Sequence, residues 1–385
     1  HGGIMIYFDN AATGGQKPAS VIGAACAAIR SANANPGRSG HALSVTLAEN
    51  LLSCRKLLSS FFGGYGFERT VFTKNCTEAL NAAVFGFARS AGAPVHVIST
   101  VMEHNSVIRP LRCLEREGRI ELTLLPLNKE GTVSPADFAR AATRETAAAV
   151  FTLASNVTGA AIDPAAVRRA LPERVLTICD GAQACGHIPV DMRAQGIDAL
   201  CVAGHKGMHG IAGSGLLLFS ERFDPAPLLY GGTGSDSANP DMPPFYPDRL
   251  EAGTLNYPAA MSLFEGAIYL KEHMQTASSH IREMTRALIK GLREIGGIEV
   301  FSRPNPFGIV AFRSKTLPSE SFAQELSDRF DIAVRGGLHC APLMHEALRS
   351  ENGLVRASLS EFNTPREVRD FLAAAARIQA DSTSF

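Results

Sequence analysis

The sequence predicts an α/β fold: a large domain with a mainly parallel sheet flanked by helices, followed by a smaller α+β domain. Three observations lead there. Short apolar segments alternate with helix-length segments up to about residue 220. A Pro- and Gly-rich stretch, residues 231–247, then breaks the pattern. Beyond it, residues 258–295 read as one or two long helices leading into a second set of strands.

The expected strands are 70–73, 95–99, 121–126, 148–153, 175–180, 199–203 and 215–219, the last after a Gly-rich stretch. Helices are expected at 77–88, 106–117, 135–142 and 164–170, each about the length of a crossover between parallel strands. The remainder, from residue 298, reads as a βαβ-like unit with strands near 308–313 and 354–358. The large domain is therefore placed at 13–257 and the small one at 258–385, with segment 1–12 packing near the small one. His1-Gly2-Gly3 reads as added residues ahead of a native start at Met5.

Composition narrows the function classes. Lys+Arg and Asp+Glu both number 37, so no basic excess points to nucleic acid and no acidic tail to a charged partner. No apolar run is long enough to span a bilayer, and no basic-then-apolar leader is visible, so a cytoplasmic protein is expected. The eight cysteines form no close CxxC pairs, so no metal site is expected, and most should be buried, reduced thiols.

Three segments could carry chemistry. Lys206 lies in Gly204-His205-Lys206-Gly207, after an apolar strand. Burial there would lower its pKa and leave a nucleophilic amine, although a lone Lys in a loop is usually solvated. Asp180 ends an apolar strand and precedes Gly181-Ala182-Gln183. Acids at strand C-termini in α/β sheets sit where ligands bind; the alternative is a helix cap. In Thr73-Lys74-Asn75-Cys76-Thr77-Glu78 a strand gives way to a helix, whose free N–H groups suit a phosphate as well as an ordinary cap. The order phosphate cradle, acid, lysine is more informative than any one of them.

In that order, and in further segments, the chain resembles the class V aminotransferases and, within them, the cysteine desulfurases and selenocysteine lyases. The shared segments include Tyr7-Phe8-Asp9-Asn10-Ala11-Ala12-Thr13, the run from Asn35 to His41, Glu103-His104-Asn105-Ser106, Ser155-Asn156-Val157-Thr158-Gly159, Glu251-Ala252-Gly253-Thr254 and Arg335-Gly336-Gly337-Leu338-His339-Cys340-Ala341-Pro342. The resemblance implies pyridoxal 5'-phosphate, joined as an imine to Lys206. It implies that Asp180 pairs with the ring nitrogen, Gln183 contacts the ring hydroxyl and His104 stacks on the ring. Thr77, His205 and the amide of Cys76 would hold the phosphate. Thr254 would reach the phosphate of a neighbouring subunit, which implies a homodimer.

The resemblance further implies a small amino-acid substrate whose carboxylate meets Asn156 and Arg356, with Arg335 and His41 also on the substrate side. An Arg fork suits a carboxylate because it offers two parallel hydrogen bonds. Cys340 would take sulfur from L-cysteine as a persulfide, or assist selenium release from L-selenocysteine, and pass it to an acceptor protein. A neighbouring His339 or cationic Arg335 would favour the thiolate. The alternative is another class V reaction (transamination, β-lyase cleavage or epimerisation) in which Cys340 accepts nothing. Ala203, Cys76, Gly336 and Leu338 depart from the usual residues, and the short Cys340 loop matches a desulfurase-like subgroup. His187, His209 and His345 are expected in structural positions.

Overall fold

The computed structural model describes residues 5–31, 34–37 and 39–382; His1-Gly2-Gly3 and Arg38 lie outside them. After a short strand β1 (Ile6–Tyr7), seven strands form the large sheet: β2 (Thr70–Thr73), β3 (Val95–Thr100), β4 (Ile120–Leu125), β5 (Thr146–Thr152), β6 (Leu176–Asp180), β7 (Ala199–Ala203) and β8 (Gly215–Phe219). Their order is β2-β8-β7-β6-β5-β3-β4. Every pair from β4 to β7 is parallel, whereas β8 runs antiparallel to both its neighbours. The reason is local: only residues 204–214 separate β7 from β8, too few for the usual helical crossover of a parallel pair. That tight return carries Lys206.

The sheet is buried on both faces, as its continuous apolar strands demand. In β5, Ala149 and Phe151 enter one core with Leu51, Leu58 and Leu263. Ala148 and Val150 enter the other, beneath Ala79, Ala83 and Leu111. Phe151 is fully buried with its ring centroid 5.3 Å from that of Phe138, so Phe151→Ala would cost about 3–5 kcal/mol. The expected helices are present as Cys76–Ser90, Asn105–Arg116, Pro135–Ala141 and Pro164–Ala170. Two more, Ala19–Ser31 and Ala42–Phe61, pack on the long helix.

That long helix is a single one, Tyr257–Glu294. Its first half (Ala260, Leu263, Ala267, Leu270) belongs to the large core. Its second half (Met284, Leu288, Ile289, Leu292) belongs to a separate core with Phe312, Phe322 and Phe371. The smaller sheet comprises β9 (Ile298–Val300), β10 (Ile309–Ser314), β12 (Arg335–Gly337) and β13 (Leu354–Ser358), in the order β12-β13-β10-β9. All its pairings are antiparallel. This corrects the βαβ-like expectation: an apolar strand–helix–strand pattern does not fix strand direction. Near the N-terminus, β1 pairs in parallel with β11 (Ile332–Ala333), and Asp9 bridges to Ser358. No helix among the described residues is long and apolar enough to cross a membrane.

Candidate active site

The C-terminal ends of β3, β5, β6 and β7 converge with the N-terminus of helix Cys76–Ser90 on a cavity of about 200 Å³. In open α/β sheets ligands bind at such strand ends, where the strand order reverses. The wall includes Cys76, Thr77, His104, Asn156, Asp180, Gln183, His205, Lys206, Arg335 and Arg356. Residues far apart in sequence are thus collected in one place. His41, Thr254 and Cys340 are not on this wall. His41 caps helix Ala42–Phe61, its Nδ1 accepting from Ser44 N at 3.3 Å. Thr254 is exposed and lines a different cavity beside Lys74 and Asn256.

Asp180 ends β6 and is 3 % exposed. Its Oδ1 accepts from Ala182 N at 2.9 Å and from Cys76 Sγ at 3.5 Å, whereas no donor among the described residues reaches Oδ2. Lys206 follows β7. Burial lowers its ammonium below the ordinary lysine value, against the opposing pull of Asp180. A lysine in this condition holds its proton loosely and is a better nucleophile.

Asn75 starts the neighbouring helix; its Oδ1 accepts from Glu78 N at 2.9 Å, which leaves the first N–H groups of the helix open to an anion. Gly215 lets β8 pass close behind, since a Cβ there would come within 2.6 Å of the Asn75 carbonyl carbon. Beside this cradle, His205 Nδ1 lies 3.0 Å from Thr13 Oγ1, and burial takes the ring down to about 4, so it is neutral at neutral pH.

His104 caps helix Asn105–Arg116, its Nδ1 accepting from Ser106 N at 3.0 Å. Burial lowers its pKa, with Lys206, Arg335 and Arg356 adding to the effect of burial against Asp180. Gln183 donates through Nε2 to Ala11 O at 3.0 Å, which leaves its carbonyl oxygen uncommitted.

Arg356, in β13, is 1 % exposed. Its Nη1 donates to Asn156 O at 2.9 Å and its Nη2 to Asp9 Oδ1 at 3.0 Å, whereas Nε is buried without a partner among the described residues. The fork is therefore partly committed within the protein, and Asp9 is a site residue that sequence reasoning did not single out. Its signal was present in the Asp9-Asn10-Ala11-Ala12 run, but nothing local connects it to a residue 347 positions away.

The Cys340 loop borders the cavity through His339. His339 and Cys340 both have positive φ, 49° and 57°, a conformation that side chains with a Cβ disfavour. Two anchors hold it: Asn156 Nδ2 donates to His339 O at 2.6 Å, and Asn105 N donates to Cys340 O at 2.7 Å. Cys340 is exposed, and Arg335 Nη2 lies 3.8 Å from its sulfur. His339 has a different task from the one expected of it. Its Nε2 lies 3.0 Å from Leu354 O, and burial drives its pKa down to about 2. A neutral ring that donates to a carbonyl offers the thiol no charge, so Arg335 is the cation beside Cys340. Of the histidines expected to be structural, His209 pairs with Glu361 at 2.8 Å and His345 Nδ1 lies 3.1 Å from Ser350 O.

This fold and site define a class of protein, and comparison with known proteins agrees. The chain belongs to the class-V aminotransferase family, whose model matches residues 6–371, and it is a pyridoxal-phosphate-dependent enzyme. It is 31 % identical over 373 residues to a probable cysteine desulfurase of Methanothermobacter thermautotrophicus, covering 94 % of this chain and 92 % of that protein. It is 30 % identical to a cysteine desulfurase of Klebsiella pneumoniae, covering 97 % and 93 %. Among solved structures, the apo cysteine desulfurase of Thermococcus onnurineus superposes with a TM-score of 0.90 at 27 % identity, covering 99 % of this chain and 95 % of that one.

Proposed function

We propose that this enzyme is a cysteine desulfurase that releases sulfur from L-cysteine as a Cys340 persulfide and yields alanine. One arrangement carries the reading: a buried Lys206 and Asp180 share a cavity wall with Arg335, and an exposed cysteine on an anchored loop lies beside that arginine. The donor set fits pyridoxal 5'-phosphate. Asp180 keeps one carboxylate oxygen open for a cationic ring nitrogen, Lys206 supplies the amine, and Thr77, His205 and the Cys76 amide surround an anion site.

Bound there, the cofactor supplies an electron sink for the substrate's α-carbon. The chain does the rest. Lys206, with its lowered proton affinity, removes the α-proton and later returns one. Asp180 would hold positive charge on the cofactor ring, and His104 would cover the ring. Arg356 and Asn156, aided by Arg335, orient the substrate carboxylate. The Cys340 thiolate, favoured by Arg335, attacks the substrate sulfur; the new S–S bond forms as the carbon–sulfur bond breaks, its electron pair staying on the substrate β-carbon, which takes up a proton to complete the methyl group of alanine. Exposure of Cys340 suits onward transfer to an acceptor protein. Thr254, outside this cavity, is assigned to the site of a second copy in a homodimer.

The test is a paired assay of alanine release from L-cysteine and from L-selenocysteine, in wild type, Lys206→Ala and Cys340→Ala. The proposal expects wild-type release from cysteine that disappears in both variants. Release from selenocysteine alone would define a selenocysteine lyase. Cysteine turnover that survives Cys340→Ala would mean a lyase without a persulfide.

A further inference from the structure

Glu103 is the least expected acid in the molecule. It is fully buried, directly before His104 and between the ends of two central strands. Thr100, the last residue of β3, accepts from Met102 N at 3.1 Å and donates through the same hydroxyl to Glu103 Oε1 at 2.6 Å. On the other side Glu103 lies against the backbone of Thr152, the last residue of β5, whose partner in β6 is Asp180. Among the described residues its second oxygen, Oε2, is buried with no hydrogen-bond partner, and no cation forms an ion pair with it.

An ionised carboxylate in that position would hold an unpaired charge away from water and close to a second carboxylate, an arrangement proteins avoid by keeping a proton. Asp180 is the one acid on the cavity wall among the described residues. We propose that Glu103 is a positioning residue that works as an uncharged acid, fixing the His104 turn to the ends of β3 and β5 and leaving Asp180 as the site's single anion. This rests on the cofactor assignment made above. Consistent with it, burial pushes the Glu103 carboxyl up to about 8, with the Thr100 hydroxyl and the Thr152 backbone opposing the rise and Asp180 adding to it.

The proposal is tested by comparing wild type with Glu103→Gln, Glu103→Ala and Thr100→Val in two measurements. The first is the thermal unfolding midpoint against pH. A buried acid that keeps its proton up to about pH 8 is destabilised as pH rises from the unfolded value of about 4.3, because only the unfolded chain has released the proton. Glu103→Gln removes that loss, so its midpoint should rise relative to wild type between those two values. A midpoint that falls relative to wild type over this range would show that Glu103 acts as an anion and would overturn the proposal. The second measurement is the dissociation constant of pyridoxal 5'-phosphate by equilibrium dialysis. Glu103→Gln should bind like wild type, and Glu103→Ala about tenfold more weakly. Thr100→Val, which removes the hydroxyl donor and keeps the shape, should weaken binding in the same direction; it decides the matter if Glu103→Ala does not fold. Wild-type affinity in Glu103→Ala or, failing that, in Thr100→Val would overturn the positioning role. Failure of the wild-type protein to bind pyridoxal 5'-phosphate would instead count against the proposed function, and the pH series would still report the charge of Glu103.

Discussion

The backbone N–H of Asn105 donates to the carbonyl of Cys340 across 2.7 Å. Asn105 is the first residue of the helix that His104 caps, so the His104 turn and the Cys340 loop are joined at the backbone. Asn156 holds the next carbonyl, that of His339. The thiol is thus carried on a braced turn rather than a free loop, as two successive left-handed residues require.

Asn156→Ala should loosen this turn. A buried carbonyl left without its donor costs about 1–3 kcal/mol, so sulfur release is expected to fall by about 10- to 100-fold. Hydrogen exchange at the Asn105 amide should quicken in the same variant. Unchanged exchange would mean that the Asn105 bond holds the loop without Asn156.

Asp9→Asn should separate binding from stability. It leaves the buried Arg356 guanidinium without its carboxylate, at a cost of about 3 kcal/mol, near the low end for a buried pair because Asp9 is partly exposed. Urea denaturation of the cofactor-loaded protein reads this loss. The freed Nη2 should also alter KM for cysteine more than kcat, since Asp9 touches no atom assigned to the chemistry.

Acid should unfold the protein in part through its neutral histidines. Burial holds His187 and His205 near about 4 and His339 near about 2, whereas unfolded histidines titrate near about 6.5. Each contributes stability that is fully present above about 6.5 and is lost as pH falls toward its folded value. His339→Gln should flatten the fall in unfolding free energy, measured by urea titration, over pH 6.5 to 4, by up to about 1.4 kcal/mol per pH unit. An unaltered slope would mean that His339 is charged in the folded state.

Glu251→Gln should destabilise without touching the cavity. Glu251 accepts from Arg55 Nη1 at 2.7 Å and from the Phe72 amide at 2.6 Å, and both side chains are buried. Removing its charge strands Arg55, with an expected loss of about 3–5 kcal/mol. Circular dichroism under heating would measure it.

Much of this site is legible in the sequence because its parts are local. Asp180 and Lys206 stand at the ends of apolar runs, and a run's end is visible without knowing its neighbours. The helix start at Asn75–Thr77 carries its own cap. What stayed hidden depends on distant pairing. Arg356 reads as an open fork until β13 brings it to Asp9. His339 reads as the thiol's companion until the fold turns its ring to Leu354 O. Strand direction in the smaller sheet escaped for the same reason. Helix Ala19–Ser31 left a readable trace in the spacing of buried Val21, Ala25 and Ala28, and the strand–helix alternation drew attention away from it.

The Arg356–Asp9 pair also bears on how the enzyme is born. A ribosome adding about 5–20 residues per second needs roughly 20–70 s to pass from one partner to the other, a separation of 347 residues. Once Phe219 has been added, the sheet bearing Lys206 has its sequence complete, yet Arg356 has not been made. A chain cut between residues 220 and 355 would therefore carry Asp180 and Lys206 but lack the arginine that Asp9 pairs with.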